Sequence, residues 1–140
     1  MLYLDTSLLV TALTAEAEGK RVAEWIRAYS SDGFLVSDWV VTEFSAALSI
    51  KLRTGQIDEA QRALALSLLK QFCIDSATVL PVEHEHFYAA ARFADRYAPG
   101  IRAGDALHLA IAFENGATLC TLDRRLSDAG PVLGVATLLV

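Results

Sequence analysis

A chain of 140 residues, 54% of them hydrophobic and 21% charged, holds enough apolar material for one ordinary core and too little charge for a disordered segment. A chain of this size buries roughly two thirds of its unfolded surface, so neither disulfides nor a structural metal is needed to staple it. Twelve basic residues against seventeen acidic ones leave a formal charge of −5, which argues against a partner made of phosphate unless some of the acids do more than face water.

The opening Met1-Leu2-Tyr3-Leu4-Asp5 lacks the basic region and small-residue cleavage site of a secretory signal, so a cytoplasmic protein is expected. Within it, Leu2 to Leu4 is a short apolar run stopped by Asp5, the first of five strand candidates. The others are Phe34 to Val36, Thr78 to Leu80, Ala117 to Leu122 and Pro131 to Val135. None alternates cleanly between apolar and polar, as expected of strands covered on both faces, and helical stretches separate most of them. The pattern is that of an α/β domain with a largely parallel sheet.

After the second strand, Ser37 and Asp38 can cap a helix that runs to about Arg53 and stops at Gly55, with Val40, Val41, Phe44, Ala47, Leu48 and Leu52 on one broad apolar face. Asp58, with Gln61 three residues on, opens a second helix striped by Ile57, Ala60, Leu64, Leu68 and Phe72, so the two read as a helical hairpin. A further helix is expected over Glu83 to Tyr97, ended by Pro99 and Gly100, and another over Gly104 to Glu114, closed by Asn115-Gly116. This last helix is apolar nearly all round and should be central. The longest stretch without a charge, Ala129 to Val140, is twelve residues; a membrane-spanning helix takes about twenty. No linker or repeat divides the chain, so residues 1–140 read as one domain. Cys73 and Cys120 sit in apolar segments with no ligand partner at metal spacing and read as reduced filler.

Four acids stand where burial is expected. Asp5 follows the first strand, Asp123 follows the fourth, Asp105 lies in the first turn of the most apolar helix, and Glu43 flanks the apolar face of the 38–53 helix. In open α/β sheets, groups at the carboxyl ends of strands face the crevice at the topological switch point. Carboxylates sharing such a crevice repel one another unless a cation neutralises them. Oxygen-only ligands favour a hard ion, Mg²⁺ with Mn²⁺ as a substitute, and such an ion can activate water for phosphodiester hydrolysis. Thr6 and Ser7 after Asp5, and Thr121 before Asp123, supply hydroxyls able to fix a carboxylate or reach a metal-bound water. The helix N-terminus at Asp105 favours its ionised form.

Strand-Asp5-Thr6-Ser7, the helical Glu43, Asp105-Ala-Leu-His-Leu-Ala and Thr121-Leu-Asp123-Arg-Arg-Leu occur in the order and approximate spacing of PIN-domain ribonucleases. The chain resembles in particular the VapC-type toxins of toxin–antitoxin pairs. The resemblance implies a three-layer fold whose parallel sheet has the order 3-2-1-4-5, with Asp5 and Asp123 on adjacent strands. It also implies Mg²⁺- or Mn²⁺-dependent endonucleolytic cleavage of RNA, with the family's four acids falling on Asp5, Glu43, Asp105 and Asp123. A small cognate antitoxin and a homodimer are the implied partners, and the hairpin from Asp38 to Phe72 would offer surface for them. Two divalent ions bound by these acids would take the formal charge from −5 to −1. Arg102, Arg124 and Arg125, each within three residues of a proposed ligand, are then candidates for contacts to RNA, although arginine beside an acid is more often a plain ion pair.

Each residue also has a blander reading. Asp5 alone would be a turn residue, Asp105 a helix cap, and Glu43 an edge-of-stripe residue reaching solvent. His108, one turn from Asp105, reads as a hydrogen-bonded packing residue and not as a ligand. His84 and His86 read as solvated, and Trp25, Tyr29 and Trp39 as lining a core or a dimer contact. Rival functions are a PIN-like nuclease of RNA maturation or structured DNA without an antitoxin, and a catalytically silent metal- and RNA-binding module. An aspartyl-phosphate phosphatase fits less well, because its nucleophile loop generally carries a second Asp where this chain has Ser7.

Overall fold

The computed structural model describes residues 1–140, the side chain of Asp32 excepted. Its strands are β1 (Leu2–Leu4), β2 (Phe34–Ser37), β3 (Ala77–Leu80), β4 (Thr118–Thr121) and β5 (Thr137–Leu139). Its α-helices are α1 (Thr6–Leu13), α2 (Gly19–Ala28), α3 (Asp38–Arg53), α4 (Glu59–Asp75), α5 (His84–Ala94), α6 (Ala103–Glu114) and α7 (Arg124–Val132). All neighbouring strands pair in parallel, in the order β3-β2-β1-β4-β5. The expected α/β architecture and strand order are therefore present, with the helices flanking the sheet.

Burial follows position in the sheet. β2 is buried throughout, and β1 and β4 are buried except at their first residues, whereas the edge strands β3 and β5 are only half covered. Tyr3, Leu4, Phe34, Phe44, Leu109 and Leu119 form the centre of the core. Helix α6 is buried without interruption from Ala106 to Ala112, as its all-round apolarity predicts. Among the described residues no helix is long and apolar enough to cross a membrane. Both cysteines are free, and burial pushes the Cys120 thiol up to about 12.

The chain passes from β1 through α1 and α2 to β2, continues outward to β3, and then returns through α5 and α6 to β4 on the other side of β1. The reversal leaves a crevice beyond the carboxyl ends of β1 and β4. Their pairing there is direct, with the Asp5 amide donating to the Cys120 carbonyl at 3.1 Å.

The structure corrects several details. Residues Pro131 to Val135 are not a strand: α7 runs through Pro131, and β5 begins only at Thr137. Pro131 cannot donate to the Ser127 carbonyl, and the Thr137 hydroxyl takes that place at 2.7 Å. Gly130 permits the close approach, since a methyl group there would overlap the Thr137 side chain. The buried face of α4 is Ala65 and Leu69, while Leu64 and Leu68 of the expected stripe stand 59% and 40% exposed. Helix α5 ends at Ala94, earlier than Tyr97, because Pro99 disfavours helical geometry just before it and the chain finishes in turns closed by Arg96 and Gly100 amides. His86 is buried, contrary to expectation, with Nδ1 accepting from the Glu83 amide at 2.8 Å; His84 is exposed.

Candidate active site

Asp5 leaves β1 and caps α1, accepting from the Leu8 amide at 3.3 Å. Two hydroxyls complete its surroundings: Ser7 donates to Oδ1 and Thr121 to Oδ2, each at 2.6 Å. Both also tie the two strand ends together, because the Leu122 amide donates to Ser7 Oγ and the Asp123 amide to Thr121 Oγ1, each at 3.0 Å. Asp5 is buried, and burial raises its carboxyl above the ordinary range. Its bonds with Ser7 and Thr121, the charge of His108 and the Leu8 amide offset that only in part.

Glu43 comes from the second turn of α3, whose start is fixed by the Ser37 hydroxyl accepting from the Val40 amide. Its Oε2 accepts from Thr6 Oγ1 and from His108 Nε2, both at 2.6 Å. Thr6 thus serves Glu43, not the adjacent Asp5. Burial alone would raise the Glu43 carboxyl, but the hydrogen bond and charge of His108, then Thr6 and Trp39, outweigh it and hold the group below its usual range. Trp39 Nε1 lies near this carboxylate yet outside hydrogen-bonding geometry, and it is buried with no partner among the described residues.

The two remaining acids sit at helix starts. Asp105 is the third residue of α6, its Oδ2 accepting from the Arg102 amide at 3.3 Å. Asp123 caps α7, its Oδ1 accepting from the amides of Arg125 at 2.8 Å and Leu126 at 3.3 Å.

Contacts gather all four acids around one end of the sheet. Thr121 joins Asp5 to Asp123; Thr6, next to Asp5, holds Glu43; and Glu43 Oε1 lies close to Gly104, next to Asp105. One oxygen each of Glu43, Asp105 and Asp123 accepts no hydrogen bond from the described residues, while both oxygens of Asp5 are engaged. As the side chains stand, no three acids, histidines or cysteines among the described residues converge closely enough to hold an ion. The donor set nevertheless fits a hard divalent cation: its members are carboxylates, and the part of the Asp5 burial left without compensation is what a cation would relieve. An open cleft of about 400 Å³, lined by Thr6, Ser7, Thr11, Glu16, Ala47, Leu122 and Asp123 among others, leads to this place.

Arg102, Arg124 and Arg125 are exposed, and none is in an ion pair among the described residues. Arg125 Nη2 donates to the Gly100 carbonyl at 2.8 Å, tying the α5–α6 connection to α7. Arg124 lines a second cleft with Arg21 and Glu18.

Sequence reasoning left out His108, which is packed in the core and also bound to Glu43. The available signal was its position one turn after Asp105, on the same side of a helix otherwise made of apolar residues. Tyr3 and Gly104 carried no signal of their own.

Several solved structures share this fold. VapC20 of Mycobacterium tuberculosis, described as a sarcin–ricin loop cleaving toxin, superposes with a TM-score of 0.73 at 16% identity, over 93% of this chain and 95% of that one. VapBC2 from Rickettsia felis, bound to a DNA fragment from its promoter, gives 0.75 at 15% identity, covering 100% and 99%. FitAcB from Neisseria gonorrhoeae gives 0.70 at 18% identity, covering 99% and 96%. At these identities the likeness is one of fold. No curated protein sequence matches the chain. The PIN domain family does match, over residues 2–130, a span that takes in β1, β4 and all four acids, and the chain belongs to that family.

Proposed function

We propose that this protein is a metal-dependent endoribonuclease, the toxin of a toxin–antitoxin pair. The observation that carries the reading is the gathering of Asp5, Glu43, Asp105 and Asp123, from four separate segments, around the carboxyl ends of β1 and β4, with the burial of Asp5 only partly offset. These four residues would hold Mg²⁺ or Mn²⁺, Asp5 at the floor, Asp105 and Asp123 at the rim, and Glu43 directly or through water. A bound divalent ion supplies activation of water and charge stabilisation at phosphorus.

The chain's own residues supply the rest. Ser7 and Thr121 hold the Asp5 carboxylate between two strands, so the floor of the site is rigid before substrate arrives. Arg102, Arg124 and Arg125 form a basic margin for the RNA backbone, and Arg125 also steadies the loop before α6. Hydrolysis by water does not use the RNA 2′-hydroxyl, so preference for RNA over DNA would come from shape.

Membership of the PIN domain family and the likeness to VapC20, a sarcin–ricin loop cleaving toxin, support the toxin reading, and a cognate antitoxin is the partner it entails. Val41, Ile50, Leu64 and Leu68 on the outer side of α3 and α4 are exposed apolar residues of the kind that a homodimer or an antitoxin would cover. A single substitution tests the chemistry. Asp5→Asn, folded by circular dichroism, should cut labelled RNA in Mn²⁺ at least about a hundredfold more slowly than the parent; cleavage at the parent rate refutes the metal role.

A further inference from the structure

His108 ends a chain of buried polar groups that has no place in an apolar core unless something depends on it. Ser37 Oγ lies 2.7 Å from Tyr3 Oη, Tyr3 Oη lies 2.9 Å from His108 Nδ1, and His108 Nε2 lies 2.6 Å from Glu43 Oε2. Ser37, Tyr3 and His108 are all buried, on β2, β1 and α6 respectively. Leucine at position 108 would satisfy α6 and need no partners, whereas histidine needs both its nitrogens met. Both are met, and the last partner is a carboxylate at the edge of the crevice.

The directions of these bonds follow from the end of the chain. An ionised carboxylate only accepts, so Nε2 carries the hydrogen toward Glu43. In the neutral ring Nδ1 then accepts from the Tyr3 hydroxyl and Tyr3 accepts from Ser37; in the charged ring Nδ1 donates to Tyr3 and Tyr3 donates to Ser37, so each bond of the chain is kept in either form. Tyr3 remains a phenol, since burial raises its hydroxyl far above the ordinary range despite the Ser37 bond. The ring can therefore neither rotate nor change tautomer without breaking a buried bond.

Glu43 is held from the other side as well. Thr6 Oγ1 donates to the same Oε2 at 2.6 Å, so this oxygen is fully occupied and Oε1 is the one left to act. Oε1 points at the start of α6. A methyl group built on Gly104 would lie 2.9 Å from it and 3.6 Å from the Trp39 ring, closer to the carboxylate than ordinary contact allows. Helix α6 therefore carries Asp105, makes room for Glu43 Oε1 at Gly104, and holds Glu43 Oε2 from His108, all within two turns.

We infer that His108, fixed by Tyr3, is a positioning residue that fastens Glu43 Oε2 and so presents Oε1 beside Asp105 to the divalent ion. The inference rests on the nuclease reading above. A long side chain otherwise free to sample many rotamers is delivered in one, which lowers the ordering cost when the ion arrives.

The test uses the whole chain, with Mn²⁺ alone for binding and a fluorophore-labelled mixed-sequence RNA for cleavage. His108→Leu should weaken Mn²⁺ binding and lower the maximal cleavage rate, each by about 10- to 100-fold, with KM for RNA within about twofold. His108→Gln, whose amide can still donate toward Glu43, should recover most of both. In a Glu43→Gln background the His108→Leu change should cost less than about twofold, because its target is gone. If His108→Leu does not fold, Tyr3→Phe, which removes only the hydroxyl, is measured in its place with the same signs expected. A parent that binds Mn²⁺ and cuts RNA, with variants that leave both unchanged or lose equally in both backgrounds, overturns this inference alone. A parent that neither binds Mn²⁺ nor cuts RNA overturns it together with the nuclease reading.

Discussion

The four acids fall into two pairs held in different ways. Asp5 and Glu43 are fixed by side chains from distant parts of the sequence: Thr121 lies 116 residues from Asp5, and His108 lies 65 residues from Glu43. Among the described residues, Asp105 and Asp123 are held only by backbone amides of their own helix starts. The inner pair can exist only once the sheet and α6 have assembled, and its carboxyl groups are shifted, Asp5 upward and Glu43 downward. The outer pair is supported by local structure and remains partly or fully exposed. On the nuclease reading, a floor braced by distant side chains and a rim held by local amides would leave Asp105 and Asp123 the freer pair to adjust to an ion.

The largest effect is expected where the inner pair is unbraced. Thr121→Val keeps the shape of the side chain but removes the donor to Asp5 and the acceptor for the Asp123 amide. Cleavage should fall by about 10- to 100-fold, and the buried groups left unpaired should cost about 1–3 kcal/mol in urea unfolding. A variant with parental stability and activity would erase the distinction between the pairs. A smaller effect on the fold is expected at the rim. Asp105→Asn gives up only a charge at a helix start, worth about 0.3–1 kcal/mol, yet it should weaken Mn²⁺ binding by about tenfold or more, measured by calorimetry. A stability loss as large as that of Thr121→Val would show that the rim is as tightly built in as the floor.

How far the sequence could be read divides along the same line. Local signals located part of the structure: Ser37 and Asp58 cap α3 and α4 where their spacing predicts and Asp5 and Asp123 sit at strand ends, whereas α1, α2 and α7 went unread. Strand order and the joining of four acids came from resemblance, because no local pattern states which strand lies beside β1. The failures are places where distant packing decides. Pro131 is tolerated in α7 because Thr137 satisfies the carbonyl it leaves bare, a compensation invisible to a reading that stops at proline. Leu64 and Leu68 keep a regular period but not the buried one, since Ala65 and Leu69 face the core. His108 is the hydrogen-bonded packing residue it reads as, and its contact with Glu43 is what that reading does not foresee.

Asp5 is the acid whose charge the fold by itself tolerates worst and a divalent ion would stabilise most directly. Burial raises its carboxyl, so between its unfolded and folded values stability falls as pH rises, and at neutral pH the charge is a net cost. Asparagine removes the charge, keeps one oxygen to accept from the Leu8 amide and Ser7, and turns its N–H toward Thr121 Oγ1, which accepts in place of donating. Melting temperatures of the parent and Asp5→Asn at pH 7, with EDTA and with excess Mn²⁺, therefore form the most direct test. In EDTA the Asn variant should melt higher by a few degrees, at roughly 2–4 °C per kcal/mol. At a hundred times the Kd, Mn²⁺ should add about 2.7 kcal/mol to the parent and little to the variant, reversing the order. A parent that melts higher in EDTA, or an order that Mn²⁺ leaves untouched, would contradict the account.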